Sequence, residues 1–200
     1  RRAPAALARM EADLIFNLAE SFGGNDTADY CIAAYLELIG KRFTGSGSHG
    51  LLYGQDKAVA KKILQFHGIE TPVFARSFRG RLDFSHDLEF PVIVKPIAGA
   101  GSMDTYRAND LTELNAALAK MGHIDRVNVE EFVDGEEFTF DTICVDGRIM
   151  YQNVSYYRPR PLAFRSTEWI SPMTYCLRDL SDPQLAGGIA MGHAVLKALD

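Results

Sequence analysis

Two lysines and four glutamates carry most of the chemistry this sequence offers. Lys95 closes the apolar run Val92, Ile93, Val94 and is followed by Pro96 and the small residues Gly99, Ala100, Gly101 and Ser102. A buried strand ending on an ammonium, then a loop whose free amides a ligand can approach closely, suits phosphate oxygens. The plain alternative is a strand-to-loop turn with a surface lysine. Lys57 falls in the first turn of a helix that Asp56 can cap. A cation there opposes the helix dipole, so it needs an anionic partner more than Lys61 or Lys62 does. Glu130, Glu131, Glu136 and Glu137 crowd the segment 127–141, VNVEEFVDGEEFTFD. Like charges so close together require water or a ligand rich in donors. From these residues alone the segment reads as two strands bent at Asp134–Gly135, a hairpin with a solvated hinge, and a donor-rich ligand is the sharper alternative.

The elements that must position these groups follow from apolar spacing and turn chemistry. Residues 5–11 suit the tail of a helix, and 13–18, DLIFNL, a short buried strand. Cys31, Tyr35 and Leu38 lie at helical spacing, with Gly40 where a C-terminal glycine belongs. Strand, loop and helix make half of an α/β unit. Residues 43–50, FTGSGSHG, form a Gly/Ser-rich loop without the Gly-Lys-Ser/Thr ending of a P-loop. After Asp56 the expected apolar stripe is Val59, Ile63, Leu64 and Phe66, ended by Gly68. Asp110 with Glu113 resembles a capping box, ahead of Leu111, Leu114, Leu118 and Met121. Asp146–Gly147 between apolar runs predicts a hairpin of 138–145 with 148–157. Residues 158–161, RPRP, break the sheet, 162–169 reads as loop or edge, and Asp182–Pro183 opens a last helix with Leu185, Ile189 and Leu196 on one face.

Composition narrows the partners. The net charge of −5 argues against a nucleic-acid backbone as the main partner. Cys31, Cys144 and Cys176 are far apart and form no CxxC, which reads as free thiols in a reducing compartment. No apolar run reaches membrane-spanning length. The expected setting is therefore the cytoplasm, with neither membrane nor nucleic acid as partner.

Taken in order, DLIFNL, YLELIGKRFTGSG, QDKAVAKKIL with GIETP, FPVIVKP with its small-residue loop, VEEFVDGEEFTFD and EWISP resemble the ATP-grasp superfamily. Within it the similarity is to D-alanine–D-alanine ligases and other carboxylate–amine ligases, and it covers nearly the whole chain. The resemblance implies a mixed α+β and α/β fold: a partial Rossmann-like unit over 1–55, one α+β lobe over 56–126, and the start of a second over 127–200. It implies that Lys57 and Lys95 reach the phosphates of ATP, that Gly101 and Ser102 belong to the loop over those phosphates, that Glu130, Glu131, Phe132 and Val133 form the adenine linker, and that Glu137 binds the ribose hydroxyls. No catalytic residue and no metal ligand is assigned. The family's Mg²⁺ ligands would lie beyond Asp200, so the chain by itself is expected to hold part of the nucleotide without turnover.

The implied reaction joins a small carboxylate to an amine, as in amino acids or peptide-like substrates, through an acyl phosphate, and a homodimer is allowed. The alternatives are a non-catalytic nucleotide-binding module and a relative of biotin carboxylase or carbamoyl-phosphate enzymes. Three departures stand out. Asp104 occupies a position where the ligases usually carry glycine, with Arg107 as its expected compensator. Ala19, Glu20 and Ser21 stand where D-alanine ligases show a histidine, which argues against D-alanine as substrate. The substrate-loop position holds YYRPRPLAFR, whose tyrosines and arginines suit an anionic acceptor or the phosphates.

Overall fold

A computed structural model describes residues 2–78, 81–83, 88–98, 104–165, 169–171 and 173–199. The chain divides into two compact units, Arg1–Ala60 and Lys61–Asp200. Among the described residues, no helix is long and apolar enough to cross a membrane.

The first unit is built on helices. α1 (Arg2–Ala8) is tied to α2 (Tyr30–Leu38) by the Tyr35 hydroxyl, which donates to the Pro4 carbonyl at 3.0 Å. Gly40, at φ 68°, ends α2, with the Gly40 and Lys41 amides donating to the Glu37 and Leu36 carbonyls. This double closure is the turn that the glycine's left-handed backbone permits. The expected strand at 13–18 is corrected. Ile15 makes a single parallel bridge to Phe43, and Leu14, Phe16 and Leu18 are exposed. One bridge cannot cover both faces of a strand, as a parallel strand requires. The loop expected at 43–50 is corrected in part, because α3 (Ser48–Gln55) begins inside it. Glu37 of α2 caps that helix, accepting from the Ser48 amide at 2.8 Å and the Ser48 hydroxyl at 2.6 Å. The two Ser48 hydrogen bonds hold the Glu37 carboxyl below its usual range.

α4 (Lys57–Phe66) crosses the boundary between the units. Asp56 caps it, accepting from the Ala58 and Val59 amides at 3.0 Å each. The expected stripe holds in part: Ile63 and Leu64 are half-buried, Val59 and Phe66 are exposed, and Ala58 is buried.

The second unit carries two antiparallel sheets. The first contains β1 (Phe74–Phe78), β2 (Arg81–Asp83), β3 (Val92–Pro96), β4 (Tyr106–Ala108) and β5 (Arg126–Glu131), in the order β2-β1-β5-β3-β4. Val92, Val94, Val127 and Val129 share one face and pack on Leu114 and Ala117 of α5 (Leu111–Lys120) and on Met121, which follows it. Asp110 caps α5 by accepting from the Glu113 amide at 2.9 Å. The second sheet, β6-β7-β8, comprises β6 (Phe138–Val145), β7 (Arg148–Arg158) and β8 (Met173–Cys176). Asp146 and Gly147 both have positive φ, 48° and 71°, the two-residue turn whose twist matches a hairpin. Within 162–169, expected as loop or edge, residues up to 165 belong to a short helix, α6 (Pro161–Arg165), whose first position Pro161 suits.

α7 (Ala186–Leu199) lies over β6, with Leu185, Ile189, Leu196, Phe138 and Phe140 lining a cavity of about 440 Å³. Gly192 allows that approach, because a Cβ there would stand 2.3 Å from the Phe140 ring.

The hairpin expected over 127–141 is not formed. β5 pairs with β1 and β3, and β6 pairs with β7. The residues between β5 and β6 are a linker from one sheet to the other. Apolar alternation located both strands but could not say which partners they take, because strand pairing is a long-range choice.

Candidate functional site

The site is built on the face of the first sheet away from α5. Directly opposed residues of an antiparallel pair point to the same side. The register sets Glu130 opposite Phe74 and Ile93, Lys95 opposite Asn128, and Ile93 opposite Arg107. β5 is therefore buried on both faces, by valines against α5 and by Asn128 and Glu130 on the other side. Buried acids are rare unless paired, so the polar face of this central strand marks the site better than the alternation itself does.

Glu130 is the centre of the cluster. Lys95 Nζ hydrogen-bonds its Oε1, Lys61 Nζ stands 3.0 Å from its Oε2, and the Asn128 amide donates to Oε2 at 2.8 Å. The Glu130 side chain is 9% exposed, Lys61 12% and Lys95 24%. Burial pushes the Glu130 carboxyl up, but the Lys95 ammonium and then Lys61 outweigh it and hold it below the usual range. Burial also pushes Lys61 down, and the attraction of Glu130 offsets only part of that. Lys61 further donates to the Pro72 carbonyl at 3.1 Å and lies over the Phe74 ring. Sequence reasoning did not single out Lys61. The available signal was its position one turn beyond Lys57 on the same helix, but only burial distinguishes it from a solvated surface lysine.

The four glutamates are not one solvated cluster. Glu130 is buried in ion pairs. Glu131 is stitched to Val73: its amide donates to the Val73 carbonyl and its carboxylate accepts from the Val73 amide, both at 2.9 Å. Glu136 accepts from the Tyr156 hydroxyl at 3.0 Å, which pushes the Tyr156 hydroxyl up. Glu137 lies 3.9 Å from Arg160 Nε. The Phe132 amide donates to the Pro91 carbonyl at 3.0 Å, so the ladder of β5 runs on through Phe132 and the free linker begins at Val133.

Of the residues expected to bind a nucleotide, the structure brings Lys95 and Glu130 into direct contact, keeps Glu131 and Phe132 in the ladder of β5, and places Val133 and Glu137 on the linker that follows. Lys57 opens α4, in the first unit. Gly101 and Ser102 lie outside the described residues. The expected role of Arg107 beside Asp104 is corrected: Arg107 lies 4.2 Å from the Phe132 ring centroid, and the group facing Asp104 is His123, at 4.0 Å. Asp104 has φ 50°, a conformation glycine adopts freely and aspartate tolerates better than most residues. Among the described residues, no group of three or more histidines, cysteines or acids could hold a metal ion.

The fold is shared with solved ligase structures. The solved D-alanine–D-alanine ligase of Bacillus anthracis superposes on all of this chain and 65% of its own, with TM-score 0.72 and 22% identity. The structure of the Bacillus anthracis ligase complexed with ATP matches 84% of this chain and 54% of its own, at 26% identity and TM-score 0.63. In sequence, the D-alanine–D-alanine ligase of Francisella philomiragia is 35% identical over 116 residues, 58% of this chain. That match spans 39% of the relative's length. No family model matches. The chain has the ATP-grasp fold in part and is a relative of the D-alanine–D-alanine ligases.

Proposed function

We propose that the protein belongs to an ATP-dependent ligase that joins a carboxylate to an amine or another nucleophile. The observation that carries this reading is the Lys95–Glu130 pair at the root of the linker between the two sheets, where a nucleotide can meet a cation at one end and the linker at the other. Lys95, and Lys57 by resemblance, would neutralise the triphosphate, with Gly101 and Ser102 supplying loop amides. Linker groups from Glu130 to Val133 would face adenine, and Glu137 would accept the ribose hydroxyls. The Glu131 and Phe132 amides are engaged in the sheet and the Val133 carbonyl accepts from Arg160, so the Val133 amide is the first linker group that adenine would meet.

In the proposed reaction, a carboxylate oxygen attacks the γ-phosphorus and the bond to the bridging oxygen breaks, releasing ADP and an acyl phosphate. The amine nitrogen then attacks the acyl carbon, loses a proton and expels inorganic phosphate. Such transfer depends on placement and charge neutralisation more than on covalent help from the protein. Mg²⁺ is expected from the resemblance. Because no described cluster fits it, the residue roles here are confined to the lysines and the linker.

The test is phosphate release from ATP by the full-length protein, screened across amino acids and dipeptides as acceptors. Release that depends on a carboxylate–amine pair supports the ligase. Release that depends on bicarbonate supports the biotin-carboxylase type of relative. Tight ATP binding without release under any acceptor supports a binding module.

A further inference from the structure

We propose that Arg160 is a positioning residue that fixes the linker in the shape an adenosine needs. This rests on the nucleotide reading above and deepens it. Arg160 stands at the start of α6, yet its guanidinium spans the linker. Nη2 donates to the Val133 carbonyl at 2.9 Å, Nη1 to Asp134 at 3.2 Å, and Nε lies 3.9 Å from Glu137. The same guanidinium lies 5.3 Å from the Phe132 ring centroid, a ring that Arg107 also approaches. One side chain thus touches Phe132, Val133, Asp134 and Glu137. Together with Thr105, Tyr106, Leu162 and Ala163, these arginines line a cavity of about 530 Å³ beside the linker.

The ion pairs do not explain the arrangement. Asp134 is 92% exposed and Glu137 45%, and exposed pairs contribute little. What distinguishes Arg160 is its planar fork, which can hold a neutral carbonyl, lie against a ring and face two carboxylates at once, as a lysine ammonium cannot. Nor is it placed as a phosphate ligand. Its charge already faces two carboxylates, and every contact it makes is at the linker, where the base and sugar are expected. By holding the Val133 carbonyl, Arg160 sets the turn of the first linker residue beyond the sheet ladder. By standing near Glu137, it fixes the acid expected to meet the ribose.

The test compares wild type, Arg160→Ala and Arg160→Lys by calorimetric titration with adenosine, ATP and guanosine. The expected result is that Arg160→Ala loses about tenfold in affinity for adenosine and for ATP alike, the scale of one charge-assisted hydrogen bond. Its preference for adenosine over guanosine should fall with it, and Arg160→Lys should recover little of either. A merely structural role would lower thermal stability without changing base preference. Unchanged adenosine affinity and base preference in both variants would overturn the proposal. So would a loss confined to ATP, which would make Arg160 a phosphate contact. If wild type binds neither adenosine nor ATP, the nucleotide reading itself falls and takes this inference with it.

Discussion

The Lys61 ammonium lies 3.0 Å from the Glu130 carboxylate, on the side of that carboxylate opposite its contact with Lys95. Three charged groups from α4, β3 and β5 thus share one buried spot. Removing one partner of a buried pair leaves the other uncompensated, which is costlier than the pair is worth. Glu130→Gln leaves two ammonium groups facing a neutral amide and should cost about 3 to 5 kcal/mol of stability. Lys61→Met leaves Glu130 with Lys95 and Asn128 and should cost less than about 2 kcal/mol. Urea unfolding of both variants and the double variant checks this. The double variant should be less damaged than the sum of the two, because its partners are in contact. An additive result would show that Lys61 and Glu130 do not interact.

The same pair predicts a pH dependence. In the folded chain the lysines hold Glu130 below the ordinary glutamate value of 4.5. Below that value the unfolded chain binds the proton first, so folding stability falls as pH drops through the folded value. The contribution of Glu130 is therefore complete above about pH 4.5 and is lost in the acid window beneath it. Unfolding free energy measured from pH 6 downward should drop more steeply in wild type than in Glu130→Gln. Equal slopes would contradict the ion-pair assignment.

Gly192 offers a test of the second sheet alone. A methyl there would stand 2.3 Å from Phe140 Cδ1, so the ring must shift or α7 must lift from β6. Gly192→Ala should cost about 1 to 3 kcal/mol, the usual range for overpacking, despite alanine's better helix propensity. Adding Phe140→Leu should recover part of the loss in thermal melts. A stabilised Gly192→Ala protein would mean that α7 does not pack there.

What the sequence made legible was what local rules decide. The β6–β7 hairpin follows from Asp146–Gly147, and the N-terminus of α4 from Asp56. Lys95 is visible as a cation at the end of an apolar strand. What it hid was non-local. α3 starts in a glycine-rich stretch that reads as loop, because its cap is Glu37, supplied by another helix. β5 was mistaken for half of a hairpin because its partners, β1 and β3, come from earlier in the chain. Phe66 and Leu38 fit helical spacing but face outward, since periodicity gives the stripe and packing chooses the side. Lys61 and the linker contacts of Arg160 were hidden for the same reason: each acts through a residue far away in sequence.

The most direct measurement is ATP affinity by calorimetry for wild type and Lys95→Ala. If the cation at the end of β3 meets the phosphates, the variant should lose about ten- to a hundredfold in ATP affinity, the range for one charge-assisted hydrogen bond, while adenosine affinity changes far less. Wild-type ATP affinity in Lys95→Ala would contradict a phosphate site at this lysine.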